Sequence, residues 1–363
     1  MLVCTRGSPV LEVPVPPSPD GPLRIEEATC TEELERLRPE WASLWMRVPM
    51  ATPFQSPDWL IPWWRHVGQG ELLTLAVREG KELVGLLPFY RYTPQDEGPR
   101  LFPLGIGTTD YLDALIRPGY EGEVMQLAWQ HLATCHLRFA EADWPQLRPG
   151  SPLLEAPAPP GWSTRSEGAE PCPVLHLPGR FEELGRLVSQ KTLRDLRTHR
   201  RRAEQAGTLQ WECAGCRQLE EFYQALLRLH AARWATREEA GVLADAAVQA
   251  AHAEALPGLL HSGLLRFYAL RLEGEIVAAI YALIDPPGRE ARRLYLYIGG
   301  FDPALERLSP GMLLIGHVVA ESIAEGIASI DFLRGRERYK YFWGAVDSPT
   351  FRRVLIPPAI GRT

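Results

Sequence analysis

The chain has 363 residues, 45% of them apolar and 23% charged, an ordinary globular balance in a chain longer than one core usually serves. No apolar run is long enough to span a bilayer, and six cysteines at this length do not make a disulfide scaffold. Reduced thiols in the cytoplasm are the simple reading. The net charge of −6 is uneven: residues 1–170 hold 14 Lys and Arg against 23 Asp and Glu (−9), while residues 171–363 hold 25 against 22 (+3). An anionic ligand is therefore expected to meet the second half.

In chain order, MLVCTRGSPVLEVPVPPSPDGPL (1–23) is Pro-rich without a long apolar segment and reads as a flexible leader. Apolar residues at helical spacing predict a helix over 31–48, and Ser56-Pro57 predicts the start of a second. Residues 72–90 alternate around a Gly-containing turn and read as a hairpin. A strand is expected at 110–116, a helix at 121–133 and a strand at 136–143, followed by a Pro-rich linker over 149–162. The second half repeats the order: a long basic helix over 181–207 closed by Gly207, a short strand TLQWEC, and an amphipathic helix over 217–234. A hairpin over 264–284, a strand RRLYLYIGG, a helix over 312–326 and a strand SIDFL complete it. REGKELVGLL (78–87) aligns with RLEGEIVAAI (271–280), and strand, helix, strand follow each, which points to an internal duplication. The chain divides accordingly into the leader 1–23, a first domain 24–170 and a second domain 171–363.

Several stretches carry chemistry or a simpler alternative. In SPGMLLIGHVV a helix opens at Ser309-Pro310-Gly311, where free amides and the helix dipole favour pyrophosphate; an ordinary Ser-Pro helix start reads the same way. Residues 189–202 carry six Lys and Arg and one acid, either a grip on phosphate or a solvated face above Leu187, Leu193 and Leu196. In TTDYLDALI, Asp110 and Asp113 flank Tyr111; alternation puts Tyr111 and Asp113 on one strand face and Asp110 on the other. An acid there serves as a general base or holds an amine, unless it is a turn residue. CAGC (213–216) reads as packing, with no second metal-spaced pair, and no metal is expected. His230 and Trp234 end an amphipathic helix at a core edge or a cleft. FLRGRERYKYFWG (332–344) packs five charges among five rings, so either its charges fan outward or it lines a cleft.

Strung together, the basic helix, LRLHAARW, the hairpin, LYLYIGGFDPALERLSPGMLL and SIDFLRGRERYKYFW resemble the CelD-like acyltransferases of the GNAT superfamily, over about residues 180–345. The order of SPG and then Gly335, Glu337, Tyr339, Lys340 and Trp343 is the most specific part. A more distant resemblance extends to the FemAB-type ligases, which transfer aminoacyl groups from tRNA. The resemblance implies an α/β (α+β) fold of two tandem GNAT-like domains, each a mixed, mostly antiparallel sheet flanked by helices. It implies a cleft where strands 293–299 and 329–333 splay apart. The acyl-CoA arm would lie on the first strand at Tyr297, and its pyrophosphate at Ser309, Gly311 and Met312, although LERLSPGM stands where GNAT enzymes carry a Gly-rich loop. Lys340 would face the reacting carbonyl, and Glu337 or Asp110 would take the amine proton. Tyr111, Asp113, His230, Trp234, Arg334 and Tyr339 would meet the acceptor. The expected activity is acyl transfer from acyl-CoA to a small-molecule amine or an amino sugar, as in polysaccharide or envelope biosynthesis. The rivals are a tRNA-dependent aminoacyl transferase and a non-catalytic binding module.

Overall fold

The computed structural model describes residues 21–236, 238 and 240–358; residues 1–20 of the expected leader lie outside the described residues. The first half holds β1 (Leu23–Ala28), α1 (Thr31–Arg47), α2 (Pro57–His66), β2 (Glu71–Glu79), β3 (Glu82–Tyr92), β4 (Arg100–Pro103), β5 (Leu115–Ile116), α3 (Glu121–Thr134), β6 (Glu141–Leu147), α4 (Pro152–Glu155) and β7 (Ser163–Gly168). The second holds β8 (Cys172–His176), α5 (Gln190–Ala206), β9 (Leu209–Cys213), α6 (Leu219–Ala235), α7 (Ala246–His261), β10 (Leu265–Leu272), β11 (Glu275–Ile284) and β12 (Arg293–Phe301). It continues with α8 (Pro310–Ala324), β13 (Ser329–Asp331), α9 (Arg338–Phe342), β14 (Val346–Ser348) and β15 (Phe351–Ile356).

Two sheets result, ordered β1-β2-β3-β4-β6-β15-β7, with β5 against β3, and β14-β8-β13-β12-β11-β10-β9. Both hairpins form because alternating strands flank tight turns. In the β10–β11 hairpin, Glu273 (φ 51°) and Gly274 (φ 84°) supply two consecutive left-handed residues, the turn that matches strand twist. The sheets are mostly antiparallel, with parallel pairs at β4–β6 and β12–β13. The last strand, β15, returns to the first sheet and lies between β6 and β7, so residues 171–363 do not stay within the second sheet.

One apolar cluster joins the halves: Trp41, Phe54 and Trp59 belong to the same core as Phe222, Leu226 and Tyr295. The α8 side of the second sheet and the α3 side of the first form two further clusters.

Local readings fail where a residue bonds something distant. Residues 110–114 are not a strand; Tyr111 has φ 59°, and extended structure begins only at Leu115. The strand expected at 136–143 runs over Glu141–Leu147. The basic stretch 181–207 is a short 3-10 turn, Phe181–Arg186, and then α5, whose start is capped by the Ser189 hydroxyl accepting from the Thr192 amide. Cys213 and Cys216, read as packing residues, are free and exposed.

Candidate functional site

The second sheet opens between β12 and β13. The two strands pair in parallel only from Arg293–Ser329 to Tyr295–Asp331. Beyond that, the Phe332 amide bonds the Pro173 carbonyl on the far side, and β12 runs on to Phe301 without a strand on that edge among the described residues. A bulge in the β11 ladder skips Tyr297 at the start of the divergence, leaving its backbone outside the paired register.

Asp331 turns the chain away. Its Oδ1 accepts from the Leu333 amide at 2.8 Å, and Leu333 sits in the left-handed region (φ 57°). Its Oδ2 accepts from the Tyr111 hydroxyl at 2.6 Å and from Arg293 at 3.3 Å. Burial raises the Asp331 pKa, against the pull of Arg293 and Tyr111. Tyr111 thus crosses from the first half to the splay, with the Arg148 guanidinium 5.0 Å from its ring centre. The same loop brings buried Asp110 to half-buried Arg334 in an ion pair. Burial raises the Asp110 pKa, and Arg334 opposes the rise. The Tyr297 hydroxyl donates to the Thr108 carbonyl at 2.6 Å.

Of the residues singled out in the sequence, Asp110, Tyr111, Arg334 and Tyr297 gather here. Asp113 does not; it is buried against Ser151 in the first half. His230 and Trp234 lie farther along β12, where the His230 backbone presses on Gly300 and the two rings stand 5.8 Å apart. Burial, with Arg233 nearby, lowers the His230 pKa to about 4, which keeps the ring neutral near pH 7. Tyr339 packs its ring 6.2 Å from Phe332.

Lys340 departs from the expectation of an ammonium facing an open cleft. Its residue is only 2% exposed, and Nζ donates to the carbonyls of Leu333 (3.1 Å), Arg334 (2.6 Å) and Gly335 (3.1 Å), with Glu337 Oε2 at 2.8 Å. The cause is local: α9 is a single helical turn that folds the lysine back beneath the loop preceding it. Glu337 is thereby engaged with Lys340 rather than free.

Ser309, Gly311 and Met312 form the first turn of α8. Ser309 is left-handed (φ 51°) and gives no side-chain cap, so the Gly311 and Met312 amides have no partner among the described residues. A Cβ at Gly311 would stand 3.1 Å from the Phe301 ring. α5 packs beside this turn and along α8, and its Lys191, Arg194, Arg197, Arg201 and Arg202 are exposed without an ion pair among the described residues. Free amides, a strand edge without a neighbouring strand and an adjoining cationic helix are a donor set that fits an acyl-CoA arm and its phosphates.

Asp331, Arg293 and Asp285 were not anticipated. Asp285 accepts from the Tyr295 hydroxyl at 3.1 Å and the Arg293 amide at 3.0 Å. An acid inside the apolar run SIDFL was the available signal, because a buried carboxylate needs partners. Among the described residues no group of three or more His, Cys, Asp or Glu is placed to hold a metal, and no helix is long and apolar enough to cross a membrane.

Residues 190–341 match the Acetyltransferase (GNAT) domain family. No curated protein matches the chain. Among solved structures, FemX is similar at 10% identity with a TM-score of 0.59, over 87% of this chain and 95% of that one. A conserved protein of unknown function from Bacteroides thetaiotaomicron VPI-5482 is similar at 12% identity and TM-score 0.57, over 91% of this chain and 100% of that one. The C-terminal DUF2156 domain of a protein described as a lysylphosphatidylglycerol synthetase from Agrobacterium fabrum is similar at 15% identity and TM-score 0.54, over 88% and 92%. At these identities the likeness is one of fold. Residues 190–341 thus match a GNAT acetyltransferase domain, within a mixed α/β chain of two sheets flanked by helices.

Proposed function

We propose that the chain transfers an acyl group from acyl-CoA to the amine of a small molecule or amino sugar, in polysaccharide or envelope biosynthesis. The observation that supports this most is the end of β12–β13 pairing at Tyr295–Asp331 while β12 continues to Phe301. A strand edge with no neighbouring strand accepts an amide-bearing arm as it would a further strand. The amides of Gly311 and Met312 hold pyrophosphate, and the basic face of α5 attracts it.

The acyl-CoA thioester supplies an activated carbonyl. The Tyr297 backbone amide, at the bulge, donates to the oxygen on which charge develops. Asp110, steadied by Arg334, takes the proton from the attacking amine; as the C–N bond forms the C–S bond breaks, and CoA leaves as its thiol with the proton that Asp110 passes on. Its pKa is raised by burial, so the rate falls on acidification at a higher pH than for an ordinary carboxylate. Titrating the protein with acetyl-CoA and longer acyl-CoA in a calorimeter tests the reading. Saturable heat is expected; none at millimolar acyl-CoA overturns it. Asp110→Asn should lower kcat by on the order of a hundredfold and leave acyl-CoA affinity intact.

The exposed, unpaired arginines of α5 favour a second reading, aminoacyl transfer from tRNA. Under it, tRNA binding weakens steeply with salt, and reversing Arg197, Arg200 and Arg201 to Glu abolishes it. Salt-insensitive or undetectable tRNA binding removes this reading.

A further inference from the structure

Three successive carbonyls, those of Leu333, Arg334 and Gly335, point at one buried nitrogen. Aligned carbonyl oxygens repel one another unless a cation stands among them, and an ammonium with three protons satisfies three. The loop that carries them is the outer wall of the splay. It leaves β13 through left-handed Leu333, a conformation leucine rarely adopts, and turns again at Gly335 (φ 110°), where glycine is permissive. The lysine comes from α9, and three residues on, Trp343 is buried against α8: a Cβ added at Gly316 would stand 3.3 Å from it. Lys340 therefore ties the wall of the splay to the helix whose first turn faces the other end of the same cleft.

We propose that Lys340 is a positioning residue, an internal cation that holds the 333–335 wall at the width the acyl donor requires, and does not touch the reacting atoms. This rests on the acyl-CoA reading for its consequence, but the clamp itself is independent of any ligand. It separates two roles that one buried lysine invites, charge delivered to the transition state and charge spent on the backbone. The four oxygens around Nζ favour the second.

Lys340→Ala leaves a small cavity lined by three carbonyls and the Glu337 carboxylate, of a size and charge that ethylammonium fits. Two measurements are made on the full chain with and without ethylammonium: amide hydrogen exchange over 332–337 without acyl-CoA, and acetyl-CoA binding by calorimetry together with kcat and KM. In the variant, faster exchange in that segment and acetyl-CoA affinity weakened by on the order of tenfold or more are expected, both reversed by ethylammonium. Lys340→Arg should recover only part, because a planar fork does not converge on three carbonyls. Unchanged exchange in Lys340→Ala overturns the clamp, as does a variant that keeps wild-type affinity and loses only kcat, which would assign the ammonium to the reacting carbonyl. If Lys340→Ala does not fold, Glu337→Gln, at the exposed side of the cluster, must weaken acetyl-CoA binding in the same direction; unaltered affinity there overturns the proposal. Wild-type protein that binds no acyl-CoA sinks the functional reading, and the exchange measurement still decides the clamp.

Discussion

Asp113 accepts from the Ser151 hydroxyl and from the Ala114 amide, each at 2.8 Å, in the interior of the first half. Burial outweighs those bonds and pushes its pKa up to about 6 from 3.8. A folded-state pKa above the unfolded one means that the proton favours the folded chain. The stability this gives is complete below 3.8 and is lost as pH rises through about 6, by on the order of 3 kcal/mol. Asp113→Asn does not titrate. In urea unfolding across that window, the wild type should lose stability relative to the variant by that order; a constant difference would mean that the carboxylate is hydrated. Residue types at the splay were partly legible. Asp110, Tyr111 and Arg334 stood out as charges and rings in unusual company, and three-dimensional structure gathers them. Lys340 stood out equally, yet its role turns on four oxygens within seven residues of it, which depend on Leu333 being left-handed. Nothing in local composition reports that backbone choice, because it is enforced by Asp331 and its distant partners.

At the scale of elements, β12 and α6 meet through Gly300. Its missing side chain lets helix backbone approach: a Cβ there would stand 2.8 Å from the His230 nitrogen and 2.9 Å from Leu229 Cβ. Backbone cannot yield as a rotamer does, so Gly300→Ala should destabilise the chain by about 1–3 kcal/mol. Gly299→Ala is the control, since its Cβ would find Ile280 Cγ1 at 3.7 Å, ordinary contact, and should change stability by under about 0.5 kcal/mol. Thermal melts of the two variants decide it; equal effects would refute the packing argument. Helices with a clear apolar face and the two hairpins were readable because their signals repeat within a turn or a strand pair. α7 has little one-sided pattern, being buried between α2 and the second sheet, and it escaped. So did β7, exposed along its length, and β15, whose place is set by partners 183 to 213 residues away.

For the whole molecule, β15 and the shared core mean that neither half is closed without the other. Residues 24–170 alone would carry β6 and β7 with no strand between them and would bare the Trp59 face that meets Tyr297 and His252. That fragment should show no cooperative melt by circular dichroism, while the full chain unfolds in one transition. A native-like, cooperative fragment would show instead that the halves are separable. The sequence by itself determined the two-half plan, the hairpin-strand-helix order and the opening of α8, because each follows from short-range periodicity and turn chemistry. Tertiary structure alone decided where β13 leaves β12, which loop of the first half seals that point and which way Lys340 faces. Those depend on pairings across more than 200 residues, such as Tyr111 with Asp331 at 220, and contacts that distant leave no periodic trace in the chain.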